Sequence, residues 1–475
     1  MTPPLEPSLA TSDRRSKSSA PELDPVQLAE WDHAHVWHPF TARDWWESRE
    51  PLIIHAAEGV ELIDLQGRRY LDGVSSLWCN VHGHRHPVID QAIRDQLDRL
   101  AHSTLLGVAH PPAIELAKRL ADLAPPGLTR VFFSDNGSTA VESAVKMAFQ
   151  YWRNKPDPEP DRTLFMTLGD AYHGDTLGDV SLGGIDLFHA AFGPLLFPTL
   201  RIPTPHPYRD PQRRSPDQVR DHCLGVAERL FQTHGPQVAA VVAEPLIQGA
   251  AGLLVHPPGF LKGLRDLCDR YGTLLICDEV AVGFGRTGTM FACQQENVTP
   301  DFLCLAKGIT AGYLPLAATL THERIYDAFL GSPECPKTFY HGHTFSGNPM
   351  AAAAALASLR VFEEEKTLET LPPKIAHLRH RLEQFARLPQ VGDVRGVGLM
   401  AGIELVENVE TRASFPPAWR IGARVCQRAR DYGVLTRPLG DVLVIVPPLV
   451  VTIADLDRLF DALEAAWNDV REGRA

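Results

Sequence analysis

The stretch "TLLICDEVAVGFGRTGTMFACQQENVTPDFLCLAKG", residues 273–308, decides how the whole chain is read. It carries two short apolar runs. The first, "TLLICDE", ends in Asp278 and Glu279, and the second, "DFLCLAKG", ends in Lys307. Apolar runs of this length, bounded by turn residues, predict strands buried on both faces of a parallel sheet. An ionisable group at the end of such a strand costs free energy unless it meets partners there. Between the runs, Gly283, Gly285 and Gly288 match G-x-G-x-x-G. A dinucleotide loop of that pattern follows its strand directly, opens a helix and has an acidic residue about 20 positions later. Here the first strand ends before Val280, and no acidic strand end falls at the required place after Gly288. The glycines therefore read as a connecting loop, and the carboxylate and amine as the chemistry.

Working outward, "RVFFSD", "TLFMTLG" and "VAAVVAEP" are further buried-strand candidates. After Gly137, residues Val141, Ala144, Val145, Ala148, Phe149 and Trp152 fall on one face of a helix. This alternation predicts an α/β fold, helices packed on a mostly parallel sheet, with the ligand site at the carboxyl ends of the strands. Beyond residue 355 the texture becomes α+β. A helical stretch, "TLETLPPKIAHLRHRLEQFARL", precedes strand candidates at "GLMAGIEL" and "VLVIVPP" and a final amphipathic helix in "VTIADLDRLFDALEAAWNDV". The early segment "VELIDLQGRRYLDGV" predicts a hairpin turning at Gln66-Gly67. The expected layout is a disordered tail (1–25), an N-terminal part of a small domain (26–84), a large domain (85–355) and a C-terminal part of the small domain (356–475). The tail is rich in Pro and Ser and poor in large apolar residues.

The 475 residues, 44% hydrophobic and 22% charged with a net charge of −12, describe a globular chain without a basic footprint. Nucleic acid and anionic membrane surfaces are not expected partners. The eight cysteines are scattered without a C-x-x-C pair, so reduced thiols and a cytoplasmic setting are expected. His82, His84 and His86 alternate as metal ligands can, but they lie in a glycine-proline loop, and no metal is expected.

An aspartate and a lysine at two strand ends suit pyridoxal 5'-phosphate. That cofactor needs a lysine for its aldehyde, an anion for its pyridine nitrogen and donors for its phosphate. Lys307 and Asp278 supply the first two. "FFSDNGSTAVESAV" supplies the third, a helix start whose N–H groups, with the Ser138 and Thr139 hydroxyls, favour an anion.

Together these residues resemble the class III pyridoxal-phosphate aminotransferases, whose signature is the opening stretch continued through "ITAGYLPLAA". The resemblance covers nearly the whole chain after the tail. It implies the fold-type I architecture, a large cofactor domain with a smaller α+β domain from both chain ends, and a homodimer with shared active sites. "HVWHPFT", "LDGVSSLWCNVHGHRHP", "AYHGDTLG", "YHGHTFSGNP" and "GVLTRPLGD" are similar to the branch that serves biotin biosynthesis. That branch converts 8-amino-7-oxononanoate to 7,8-diaminononanoate, with S-adenosylmethionine as the usual amino donor. Lysine as donor, or another ω-amino-acid aminotransferase, are the alternatives. By this resemblance Gly137 and Ser138 hold the phosphate and Tyr172 lies over the cofactor ring. Trp78 and Asp175 belong to the substrate pocket, with Asp175 near the substrate amine, and Arg437 pairs with the keto substrate's carboxylate. Gly342 and His343 line the pocket, and Thr344 reaches the phosphate in the partner subunit. The chain departs from the branch's commoner pattern at Phe40, Leu77 and Val444, which correspond to pocket-wall positions, and at His343, where proline is commoner. Fewer aromatics there remove stacking area for an adenine-bearing sulfonium.

Overall fold

The computed structural model describes residues 24–474; the predicted tail therefore lies almost wholly outside the described residues. The chain divides into two compact units, one reaching to His55 with Asp64–Arg68, the other Ala56–Ile63 with Arg69 onward. In the first, helices Pro25–His35 and Arg43–Glu47 are tied by Asp32, whose carboxylate accepts from Trp46 Nε1 at 2.7 Å and meets His38 Nε2 at 2.9 Å.

The second unit is built on seven strands. In chain order they are β1 (Leu128–Ser134), β2 (Leu164–Leu168), β3 (Thr199–Ile202), β4 (Val238–Ala243), β5 (Leu274–Asp278), β6 (Phe302–Leu305) and β7 (Ala317–His322). Their order across the sheet is β1-β7-β6-β5-β4-β2-β3. The five strands from β6 to β3 run parallel, while β7 runs antiparallel to both β6 and β1. Every residue of β4, β5 and β6 is buried, which is why those runs carry apolar side chains on both faces. Thr199–Ile202 and the antiparallel Ala317–His322 extend the sheet beyond the five strands read from sequence.

The helix after β1, Gly137–Asn154, starts in a capping box. Asn136 accepts from Thr139 N, and the Thr139 hydroxyl accepts from Asn136 N. Its predicted stripe is buried at Val141, Ala144, Val145, Ala148 and Trp152, each large apolar member contributing on the order of 2 kcal/mol. Phe149 is the exception, 38% exposed, with the Arg153 guanidinium over its ring at 3.5 Å. A cation on a solvent-facing ring explains an apolar residue that the core does not take.

The chain ends meet in smaller sheets. Glu61–Asp64 and Arg69–Asp72 form the predicted hairpin, with Leu62 opposite Tyr70, and Arg69–Asp72 pairs in parallel with Val434–Leu435. A second sheet has the order Val391–Val397, Met400–Leu405, Val442–Ile445, Pro438–Leu439. The last helix, Ile453–Arg471, starts at Thr452 in another capping box. The helical stretch after residue 366 divides into a short 3-10 turn, Thr367–Thr370, and the helix Leu371–Phe385, which opens with Pro372 in its first turn.

The glycine loop has a structural task. It delivers Arg286 into the interior, where the guanidinium donates to the carbonyls of Asn80 (3.0 Å) and Pro447 and meets Ser75 Oγ at 3.4 Å. Gly285 takes φ of 81, and a Cβ there would sit 2.8 Å from Leu449. Glu279 ties down the far side of this loop by accepting from Ala292 N and Cys293 N at 2.6 and 2.7 Å. The two members of the acidic pair thus part company: Glu279 is structural, and Asp278 faces the carboxyl edge of the sheet. No helix among the described residues is long and apolar enough to cross a membrane.

Candidate active site

Six of the seven strands point their carboxyl ends to one edge, so the residues that follow them converge. Asp278 pairs in register with Cys304, three positions before Lys307. Lys307 follows β6 in a left-handed conformation, φ 43, before a single 3-10 turn. Non-glycine residues in that region store strain that a packed surround must offset. Lys307 and Val280, with Gly137, Ser138, Tyr172, His173 and Gly174, line a cavity of about 420 Å3 closed on one side by Thr310–Leu316.

The electrostatics follow from burial. The Lys307 ammonium is pushed below its ordinary range by desolvation, against the pull of Asp278 and Glu244. Its Nζ lies 5.2 Å from the centre of the Trp78 ring and has no hydrogen-bond or ion-pair partner among the described residues. Asp278 is nearly inaccessible. One carboxylate oxygen meets His173 Nδ1 at 2.8 Å, and the other accepts from Val280 N at 3.0 Å. Glu244, at the end of β4, is raised to about 7 by burial and accepts from Gly249 N at 2.8 Å.

At the head of the long helix, Gly137 has no room for a side chain: a Cβ would lie 2.5 Å from Val280 Cγ1. Ser138 Oγ accepts from Asp175 N at 3.2 Å, which leaves its hydrogen for a ligand. Tyr172 donates to Asp175 Oδ2 at 2.7 Å, and its phenol is raised by burial and then by that bond. His343 Nδ1 lies 2.9 Å from Asp135, another residue of the cavity wall.

Trp78 owes its position to an unusual backbone. Ser75, Ser76 and Trp78 have φ of 51, 61 and 63, so "SSLW" is a kink rather than a helical turn. Ser75 Oγ donates to Val446 O at 2.6 Å, and Asp72 accepts from Ser76 N at 2.9 Å. The Trp78 ring fits against Gly249, where a Cβ would come within 2.8 Å.

The remaining sequence candidates lie as follows. Arg437 is half-buried, its charge disfavoured by desolvation, with no ion pair among the described residues. Gly342 and Thr344 are exposed in the single chain, outside the cavity wall. Leu77 is 46% exposed beside the kink, and Phe40 is 56% exposed in the first unit. Val444 is fully buried in an apolar cluster with Trp78, Met400 and Val282. Neither Val444 nor Trp78 is among the residues lining the cavity. His82, His84 and His86 turn to different partners: the Ser358 carbonyl, Asp72 and Glu365. The grouping His206, Asp393 and Glu404 has ligand-like spacing, but Arg395 pairs with both of its carboxylates.

Sequence reasoning missed His173 and Glu244. Both had a signal. His173 stands beside Tyr172 in "AYHGDT", and Glu244 ends an apolar run as Asp278 does.

These residues fit pyridoxal 5'-phosphate. There is an unpaired buried amine, an anchored carboxylate one strand away, and a helix start with no side chain in the way. Comparison with known proteins agrees. The aminotransferase class-III family matches residues 44–467. The adenosylmethionine-8-amino-7-oxononanoate aminotransferase of Nitratidesulfovibrio vulgaris is 60% identical over 94% of this chain and 82% of that protein. The crystal structure of the enzyme of that name from Methanocaldococcus jannaschii superposes with a TM-score of 0.89 at 43% identity, covering 94% of this chain and 99% of that one. An amine transaminase from an uncultivated Pseudomonas species, solved in its PLP-bound form, gives 0.86 at 40% identity over 91% and 98% of the two chains. The chain belongs to the class III aminotransferase family.

Proposed function

We propose that the protein transfers an amino group to 8-amino-7-oxononanoate, giving 7,8-diaminononanoate, with S-adenosylmethionine as donor and pyridoxal 5'-phosphate as cofactor. The observation that carries this reading is the placement of Lys307 and Asp278 at neighbouring strand ends, Lys307 on the cavity wall and Asp278 bonded to its wall residues His173 and Val280, in a chain 60% identical to a relative bearing that activity's name. Bound pyridoxal phosphate supplies an aldehyde that takes up amino groups and a protonated ring that draws electrons from the adjoining carbon.

The chain's own residues supply the rest. Lys307 Nζ, kept neutral more readily by burial, would hold the cofactor at its aldehyde and, once displaced by the donor amine, would move a proton as general base and acid. Asp278 holds the proton on the ring nitrogen, and His173 and Val280 N hold Asp278. Gly137 and Ser138 receive the phosphate. Tyr172 covers the ring, Trp78 closes the substrate side and Asp175 meets the substrate amine. Arg437, a guanidinium without an ion-pair partner among the described residues, receives the keto acid's carboxylate.

The same reading assigns 85–355 to the cofactor domain and 26–84 with 356–475 to the smaller domain. It also makes the protein a cytoplasmic homodimer. Leu106, Val108, Tyr340 and Phe345 are all exposed on segments that pack together through His102 and Phe345, whose rings are 4.7 Å apart. An apolar surface of this kind suits a second copy of the chain, which would also bring Gly342, His343 and Thr344 to a shared site.

Single-turnover assays with S-adenosylmethionine, lysine and β-alanine, read by conversion of the cofactor to its amine form, test the proposal. Conversion by S-adenosylmethionine followed by amination of 8-amino-7-oxononanoate is expected. Conversion by lysine alone would overturn the donor, and conversion by β-alanine without turnover of the keto acid would overturn the substrate.

A further inference from the structure

Asp179 is a buried carboxylic acid that the chemistry above does not use. It sits on the short helix Leu177–Leu182 with no exposed surface, and neither carboxyl oxygen has a hydrogen-bond partner among the described residues. Gly174 marks where it faces. A Cβ on that glycine would lie 2.1 Å from Ser138 Oγ and 2.4 Å from Asp179 Oδ2. The serine hydroxyl and the acid thus confront each other across the one position that has no side chain, directly behind the cavity wall.

The charged groups around it are of one sign. Desolvation, then Glu142 of the long helix, Asp278 of β5 and Asp175 of its own segment, raise the Asp179 carboxyl to about 9, against the nearby Thr176 hydroxyl, whose hydrogen goes to Glu142 instead. Tyr172 and Cys304 are the other titratable neighbours, and both are raised in part by Asp179. No lysine, arginine or histidine pairs with it among the described residues. A buried acid in such company stays protonated at neutral pH.

We propose that Asp179 is a positioning residue for the cofactor's phosphate, acting through Ser138. Neutral, it adds no charge behind the phosphate and leaves the Ser138 hydrogen free to point into the cavity. Ionised, it competes for that hydrogen as a second anion and repels the phosphate. The protein then grips its cofactor across neutral pH and loses it as pH climbs past the point where Asp179 gives up its proton. This inference rests on the reading of the cavity as a pyridoxal phosphate site.

The test compares release of pyridoxal 5'-phosphate from full-length holoenzyme after rapid dilution, for the wild type and Asp179→Asn, from pH 7 to pH 10. Asparagine keeps the shape and cannot ionise. The two release rates are expected to agree within about twofold at pH 7, with the wild type at least tenfold faster at pH 10. Glu142→Gln, which removes a negative neighbour, should move the wild-type rise to higher pH only if Glu142 favoured ionisation; the proposal requires a move to lower pH. Parallel profiles for wild type and Asp179→Asn, or an unmoved Glu142→Gln profile, would overturn the inference while leaving the cofactor site intact. A protein that retains no pyridoxal phosphate at any pH would overturn both.

Discussion

His173→Ala isolates what the anchoring of Asp278 contributes. In the structure His173 is buried, its Nδ1 2.8 Å from Asp278 Oδ2, and the other oxygen of Asp278 keeps only a backbone donor at 3.0 Å. A hydrogen bond to a charged group is worth about 1.5–3 kcal/mol. If that bond fixes the carboxylate where the ring nitrogen needs it, losing it lowers kcat by about 10- to 150-fold. KM for the keto acid should change little, because the bond that is lost goes to Asp278, which the proposed mechanism uses at the cofactor ring and not to bind the keto acid. The assay is steady-state transamination, with absorbance confirming that the cofactor remains bound. His173→Gln, which can still donate, should recover part of the loss. A His173→Ala enzyme with unchanged kcat and full cofactor occupancy would refute the anchoring argument.

Other outcomes follow from the same geometry. Lys307→Ala should abolish turnover, and Asp278→Asn should lower kcat by orders of magnitude while the melting curve stays close to wild type; a near-normal rate in either would remove that residue from the chemistry. Arg437→Ala should raise KM for the keto acid at least tenfold with a smaller change in kcat, and an unchanged KM would free Arg437 from the carboxylate role. Arg286→Met should cost about 3 kcal/mol in denaturant unfolding, since it strands the Asn80 and Pro447 carbonyls inside the protein. Stability within 0.5 kcal/mol of wild type would show that the buried charge's own desolvation cancels those bonds. Asp179 bears on stability too. Its folded carboxyl is raised above the unfolded value of 3.8 to about 9, so it penalises the folded state increasingly as pH rises between those values. The stabilising effect of Asp179→Asn should therefore grow from pH 5 to pH 8, by up to about 1.4 kcal/mol per unit; an advantage independent of pH would contradict that.

Much of the scaffold was legible because burial on both faces leaves a local mark. "TLLICDE", "DFLCLAKG" and "VAAVVAEP" are apolar at successive positions, and all three are strands. Direction leaves no such mark. Ala317–His322 is almost as buried as its neighbour β6, and only its pairing in register with Cys304 and Phe132 shows that it runs the other way. The hairpin at Gln66-Gly67 could be read from its turn residues, whereas the kink at "SSLW" could not. Its three left-handed residues are held by Asp72, Val446 and Arg286, the last two hundreds of positions away in sequence. Asp278 and Lys307 announced themselves as ionisable ends of apolar runs. His173 was marked only by standing beside Tyr172, because its value lies in a bond to Asp278, 105 positions distant. Val444, matched by resemblance to a pocket wall, is fully buried in one apolar cluster with Trp78, a grouping that residues 366 positions apart do not show in sequence.

The most direct measurement is chemical. Borohydride treatment of the holoenzyme, followed by proteolysis and mass spectrometry, should place a reduced pyridoxyl-phosphate adduct on the peptide containing Lys307 and on no other lysine. An adduct on a different lysine, or none in protein that carries the cofactor, would contradict the account at its centre.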